Sequence, residues 1–177
     1  MKRAAVLAFD DQCRTVLERD TGGGGGTAAW LLCNPSTADA YADDPTAGRI
    51  VHHSARLGCT RSLVGNVWCL RTPYPADLWE ALRSGRYTPE MHNANLDALA
   101  MMAAQADVFV VAFGAAPWRS HRAACLDALR VWCPDDGRVP ECLGVTPDGA
   151  PLHPLARGKF AVRNDCEIFE WPGVLQL

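Results

Sequence analysis

The pattern of this chain predicts an α/β fold with a mostly parallel central sheet, and three observations carry that prediction. Apolar runs of strand length alternate with helical stretches, an order most economically packed as a parallel sheet with helices on both faces. Residues 107–113 form a near-continuous apolar run stopped by Gly114, as expected of a strand buried on both faces. The 177 residues are 49% hydrophobic and 21% charged, enough apolar material for a substantial core in a single domain spanning 1–177. The expected architecture is a three-layer α/β/α sandwich with an N-terminal β-hairpin.

Each element has its own signal. Residues 4–9 and 13–19 read as short strands joined by Asp10-Asp11-Gln12, a hairpin by turn chemistry. The five glycines at 22–26 lack a following G-K-[ST], so they read as a flexible loop rather than a phosphate cradle. A strand at 28–33 leads into an acidic loop, then a helix at 46–57 ended by Gly58. A strand at 62–70, helices at 76–83 and 92–105, the strand at 107–113, a helix at 118–132 and a strand at 140–145 complete the alternation. Residues 163–177, with Phe169, Trp171 and Pro172, read as a tail or edge strand.

Composition narrows the functional classes. A basic start meets Asp10 and Asp11 too early for a signal peptide, and no apolar run approaches the roughly 20 residues that span a bilayer. A soluble, cytoplasmic protein without a membrane partner is expected. The eight cysteines contain no C-x-x-C pair, so reduced, buried thiols are favoured over a metal or iron–sulfur site assembled from distant positions. No metal or cofactor is expected. A net charge of −3 argues against broad nucleic-acid affinity, while a local basic patch stays open.

The chemistry-bearing residues fall at strand ends. Asn34-Pro35-Ser36-Thr37-Ala38-Asp39 closes the apolar run 28–33. Pro restricts the residue before it, so Asn34 is expected as the last extended residue, with Ser36 and Thr37 capping a turn. In an open α/β sheet the crevice beyond the carboxyl ends of the strands is where ligands bind. Asn66 is placed in the middle of an apolar strand, where an amide is costly unless paired, and an amide complements a nucleobase edge. Arg71 follows in Arg71-Thr72-Pro73, Gly114 ends the buried strand, and His153-Pro154 follows the turn Thr146-Pro147-Asp148-Gly149. Asp39, Asp43 and Asp44 either cap the helix at 46–57 or supply a negative charge to a site. Trp68 and Phe113 read as core residues able to stack on a base.

The segments Asn34 to Asp39, Asp43-Asp44-Pro45-Thr46, Val64-Gly65-Asn66-Val67 and Cys142 through Leu155 resemble domain-of-unknown-function family 1643, over roughly residues 9–159. More distantly, an Asn-Pro loop after a first core strand, a strand carrying Asn and then Arg-x-Pro, and a late His-Pro loop are similar to the uracil-DNA glycosylase superfamily. That resemblance implies a three-layer α/β/α fold and cleavage of bases from DNA. It puts Asn34 in the water-positioning role, Asn66 in base reading and His153 in stabilising the departing base. Leu155-Ala156-Arg157 departs from that superfamily's Ser and wedge residues after His-Pro, where duplex insertion would be made.

The sequence therefore predicts a nucleobase-directed N-glycosidase acting on nucleic acid or nucleotides. Asn34, His153, Asp39 and Asp44 are the catalytic candidates, and Pro35, Ser36, Thr37, Asn66, Arg71 and Gly114 the substrate-binding ones. The alternatives are a noncatalytic nucleotide or nucleic-acid binding module and a metal-dependent hydrolase using Asp39, Asp43, Asp44 and His153.

Overall fold

The computed structural model describes residues 3–133 and 136–173. Seven strands form one mixed sheet: β1 (Arg3–Ala8), β2 (Cys13–Asp20), β3 (Thr27–Leu32), β4 (Arg61–Asn66), β5 (Val108–Val111), β6 (Glu141–Cys142) and β7 (Phe169–Glu170), in the order β1-β2-β4-β3-β5-β6-β7. The central four, β4-β3-β5-β6, are parallel, while β1, β2 and β7 join antiparallel at the margins. The helices are α1 (Pro45–Arg56), α2 (Pro75–Ser84), α3 (Pro89–Ala103), α4 (Ala115–Ser120) and α5 (Arg122–Trp132).

Period-2 alternation sorts the buried strand residues onto two faces. Ala29, Leu31, Leu63, Phe109 and Val111 pack with Leu78, Leu99, Met102 and Leu129 of α2, α3 and α5. Ala28, Trp30, Leu32, Val64 and Val110 pack with Ala47 and Ile50 of α1 and with Val162. Every β3 residue is buried, because that strand is covered on both faces and paired on both edges. The crossovers obey the same logic. The β3-to-β4 connection through α1 uses one face, and the return from β4 past β3 to β5 uses the other, as right-handed crossovers in opposite directions require.

Several elements differ from the sequence reading. The strand expected over 62–70 ends at Asn66, so Asn66 is a strand terminus rather than a mid-strand residue. The helix expected over 118–132 is two helices broken at His121, whose φ of −140° and ψ of 45° are not helical. The helix expected from residue 92 begins a turn earlier at Pro89, where the Thr88 hydroxyl caps the Met91 N–H. The strand at 140–145 shrinks to two residues. The glycine loop at 22–26 is tied to the α1–β4 turn: Gly25 N–H donates to Gly58 O, and Thr60 N–H to Gly26 O. Within the tail expected over 163–177, β7 supplies an edge strand, and residues 174–177 lie outside the described ones.

The hairpin turn is built without glycine. Phe9, Asp10 and Asp11 all have φ between 52° and 62°, a conformation that L-residues adopt at a cost. Just beyond it the register slips. Val6 pairs with Val16 and Leu7 with Arg14, leaving Thr15 as a bulge.

Gly65 sits where β4 meets α3. A Cβ there would lie 2.5 Å from Leu99 Cδ2 and 3.0 Å from Met102 Sδ. Gly65→Ala is expected to destabilise the fold by about 1–3 kcal/mol through overpacking. Urea denaturation checks this, and an unchanged midpoint would show that α3 yields freely.

Candidate functional site

The loops at the carboxyl ends of β3, β4, β5 and β6 enclose a cavity of about 460 Å³, within the size range of small-ligand sites. Strand β3 feeds α1 in one direction and β5 feeds α4 and α5 in the other, so their loops diverge and leave a crevice between them. Asn34, Ser36 and Asp44 line it from the β3 side, Asn66 and Thr72 from β4, Phe113 and Gly114 from β5, and His153 from beyond β6.

Asn34 ties two of these loops together. Its Nδ2 donates to Pro35 O at 3.0 Å and to Thr72 O at 2.8 Å, and Thr72 N–H returns a bond to Pro35 O. Because both neighbours are carbonyl oxygens, the amide orientation is determined, and Oδ1 is the atom left to accept from a ligand or water.

His153 is reached through a short antiparallel excursion. Thr146 N–H bonds Ala150 O, Gly149 N–H closes the turn on Thr146 O, and Val145 bridges Pro151. The His153 Nδ1 accepts the Leu155 N–H at 3.1 Å. A neutral imidazole that accepts at Nδ1 carries its hydrogen on Nε2. Burial lowers its pKa to about 4 against the opposing field of Asp44, so at neutral pH His153 offers an uncharged Nε2–H donor. Gly114, at φ 87°, carries the chain past it, with room for a Cβ only 3.5 Å from His153 Cβ.

Asn66 is 1% exposed, and neither Oδ1 nor Nδ2 has a hydrogen-bond partner. Its backbone is nonetheless firmly held, since Asn95 of α3 donates through Nδ2 to both Asn66 O and Val67 O. A buried, unpaired amide costs on the order of 1–3 kcal/mol per group, and this one lines a cavity. A donor and an acceptor side by side match the cis-amide edge of a ring lactam or nucleobase.

The remaining sequence candidates divide. Asp44 is the N-cap of α1, accepting from Ala47 N–H at 2.8 Å and Ala38 N–H at 3.3 Å, and it also lines the cavity. Capping the helix and facing the cavity are therefore compatible for this side chain. Asp39 does not reach the cavity, because Oδ1 accepts the Tyr41 and Ala42 amides in a local turn that holds its carboxyl below the usual range. Asp43 pairs with Arg19 and Arg3, so Asp39, Asp43, Asp44 and His153 do not converge. Among the described residues no three His, Cys, Asp or Glu side chains gather as metal ligands. Pro35 is buried and does not line the cavity. Thr37 and Arg71 line a shallow depression that shares Ser36 and Pro73 with the cavity. Trp68 packs edge-on to Trp79, which reaches the cavity in its place.

Sequence reasoning missed Arg14, Trp79 and Asn95. Asn95 had a signal, an amide on the buried stripe of a helix. Arg14 had none, because simple alternation places it on the opposite face from Leu17.

Residues 14–155 match the family model described as protein of unknown function DUF1643. The chain belongs to that family. The matched span of this DUF1643 chain begins at Arg14 and ends at Leu155, which are also the first and last residues lining the cavity. No curated protein and no solved structure matches the chain. No helix among the described residues is long and apolar enough to cross a membrane.

The histidines impose a pH dependence. His153 and the buried His53 both have their pKa lowered to about 4 by burial, with nearby Arg49, His52 and Arg56 adding to the effect at His53. Between the unfolded value near 6.5 and about 4, the unfolded state binds more protons. Stability is therefore fully present above about pH 6.5 and lost as pH falls toward 4. Thermal midpoints across this range should drop on acidification, and His153→Gln should flatten the slope. An unchanged slope in that variant would show that His153 is not buried neutral.

Proposed function

We propose that the cavity binds a nucleobase and that the DUF1643 chain hydrolyses the N-glycosidic bond carrying it, in a nucleotide or a nucleic-acid strand. The observation that carries this reading is Asn66, a fixed amide with both polar atoms buried, unpaired and lining the cavity. The similarity of the Asn-Pro, Asn and His-Pro segments to the uracil-DNA glycosylase superfamily supports it, as does an α/β sheet with helices packed on both faces.

The chemistry assigns each group a task. Asn66 reads the lactam edge of the base and Phe113 supplies an apolar wall. Asn34 Oδ1 accepts a hydrogen bond from water and orients it toward C1′. As the C1′–N bond breaks, the sugar gains oxocarbenium character and its electron pair leaves with the base. The His153 Nε2–H donates to the developing negative charge on a base oxygen, and the Asp44 carboxylate favours the sugar cation. Water adds its oxygen to C1′, and its proton ends on the released base. His153 acts as a neutral donor rather than a general acid, since the imidazolium is suppressed down to about pH 4.

A second reading, a binding module without turnover, draws on Asp44, whose two oxygens are occupied by the Ala38 and Ala47 amides. Base release from a panel of nucleosides, nucleotides and single- and double-stranded DNA bearing normal and damaged bases separates the two. Turnover lowered about 10²–10³-fold in His153→Ala, and nearly abolished in Asn66→Ala, is the expected result. Saturable, Asn66-dependent binding with no released base favours the module, and no binding at all rejects both.

A further inference from the structure

Strand β2 runs antiparallel to β4, so its first residues reach the carboxyl edge of the parallel strands, where Arg14 N–H bonds Cys69 O. The bulge at Thr15 then turns the Arg14 side chain onto the face of Leu17 and Arg19, and Arg14 lines the cavity. It is 4% exposed. Its Nη1 donates to Ala38 O at 2.6 Å and its buried Nε has no partner. Among the described residues no carboxylate lies within ion-pair distance of it.

Arg19, on the same face, shows what a satisfied guanidinium looks like here. It pairs with Asp43 at 2.6 Å and donates to the carbonyls of Ala4, Glu18, Asp39 and Ala42. The strongest compensating field on Arg14 comes from Asp44, whose oxygens already serve the Ala38 and Ala47 amides, with a weaker one from Asp39. Burial lowers the Arg14 pKa to about 10, which still leaves it a cation at neutral pH. A buried charge without a close partner is expensive, and it borders empty space that a ligand can fill.

Arg71 adds a second cation nearby, its field opposing the charge on Arg14. Its Nη1 donates to Asp11 O at 3.3 Å, and its Nε is buried without a partner. It lines two shallow depressions that meet the cavity at Ser36, Thr72 and Pro73.

We propose that Arg14, with Arg71 at the cavity mouth, forms an anion subsite that takes a phosphate group of the ligand while its ring lies against Asn66. This rests on the nucleobase reading for the ring and stands on its own for the phosphate. The phosphate comes either from a free nucleotide or from the backbone of a single strand.

Calorimetric titration at low salt with inorganic phosphate, a nucleoside, its 5′-monophosphate and a short single-stranded oligonucleotide tests it. The monophosphate should bind about tenfold or more tighter than the nucleoside, the gain of one charge-assisted contact. That ratio should collapse toward one in Arg14→Met and shrink in Arg71→Ala. Removing a buried charge that has no carboxylate at ion-pair distance should also leave the thermal midpoint of Arg14→Met equal or raised. Should that variant fail to fold, Arg14→Lys, which keeps the charge but not the fork, is read instead and should give a reduced ratio. Oligonucleotide binding that weakens steeply with salt assigns the phosphate to a strand, and a preference for the monophosphate assigns it to a nucleotide. Inorganic phosphate that binds and depends on Arg14, with no nucleoside binding, keeps the subsite and removes the nucleobase reading. Equal affinities for nucleoside and monophosphate, or a ratio untouched by either arginine variant, overturn the subsite.

Discussion

The reversal of sheet growth at β3 is the constraint on which the rest of this structure depends. The chain lays down β3, builds β4 on one side of it, then crosses back to build β5 on the other. Crossovers of one hand must then use opposite faces, which splits the helices into two layers and buries every residue of β3. The same reversal parts the loops after β3 and β5. What fills the gap is decided by side chains at strand termini, and the cavity draws on the carboxyl ends of all four parallel strands.

Polar satisfaction separates scaffold from site along this edge. Asn34, Asp44, Thr72 and Asn95 each bind neighbouring backbone through their side chains, so the loops hold their shape without a ligand. Arg19 is likewise fully engaged. Against that background Asn66 and Arg14 stand out, since each is buried, lines the cavity and lacks partners for atoms that need them. A fold that satisfies one arginine with an aspartate and four carbonyls, yet leaves another on the same face with a single carbonyl, is unevenly stable. Among the described residues, the buried side-chain polar atoms that line the cavity without a partner belong to Asn66 and Arg14.

Much of the fold was readable because its signals are local. Asn-Pro at the end of an apolar run, a glycine closing a buried strand and a turn before His-Pro each declare a strand terminus, and Asn34, Gly114 and His153 all line the cavity. Asn66 was read as a residue but misplaced along its strand, because the apolar run continues through Val67, Trp68 and Cys69, which are buried after the ladder has ended. Asp39 and Asp44 look alike in sequence, and only the turn at Tyr41 and Ala42 decides that one faces away. The helix break at His121 carries no proline or glycine to announce it. Arg14 was illegible for a different reason, since its direction depends on a register slip between two strands.

That slip makes the hairpin a heritable control on the cavity. Strand geometry reverses the facing of every residue beyond a one-residue insertion, so the extra residue at Thr15 determines whether Arg14 points to the side of α1 or away from it. Among descendants of a common ancestor, deleting one residue here would be equivalent to removing a charged group from the cavity while leaving each cavity-lining residue type unchanged. Comparison of related chains by substitution alone would overlook such a change. An alignment gap between Val6 and Leu17 would be its only trace.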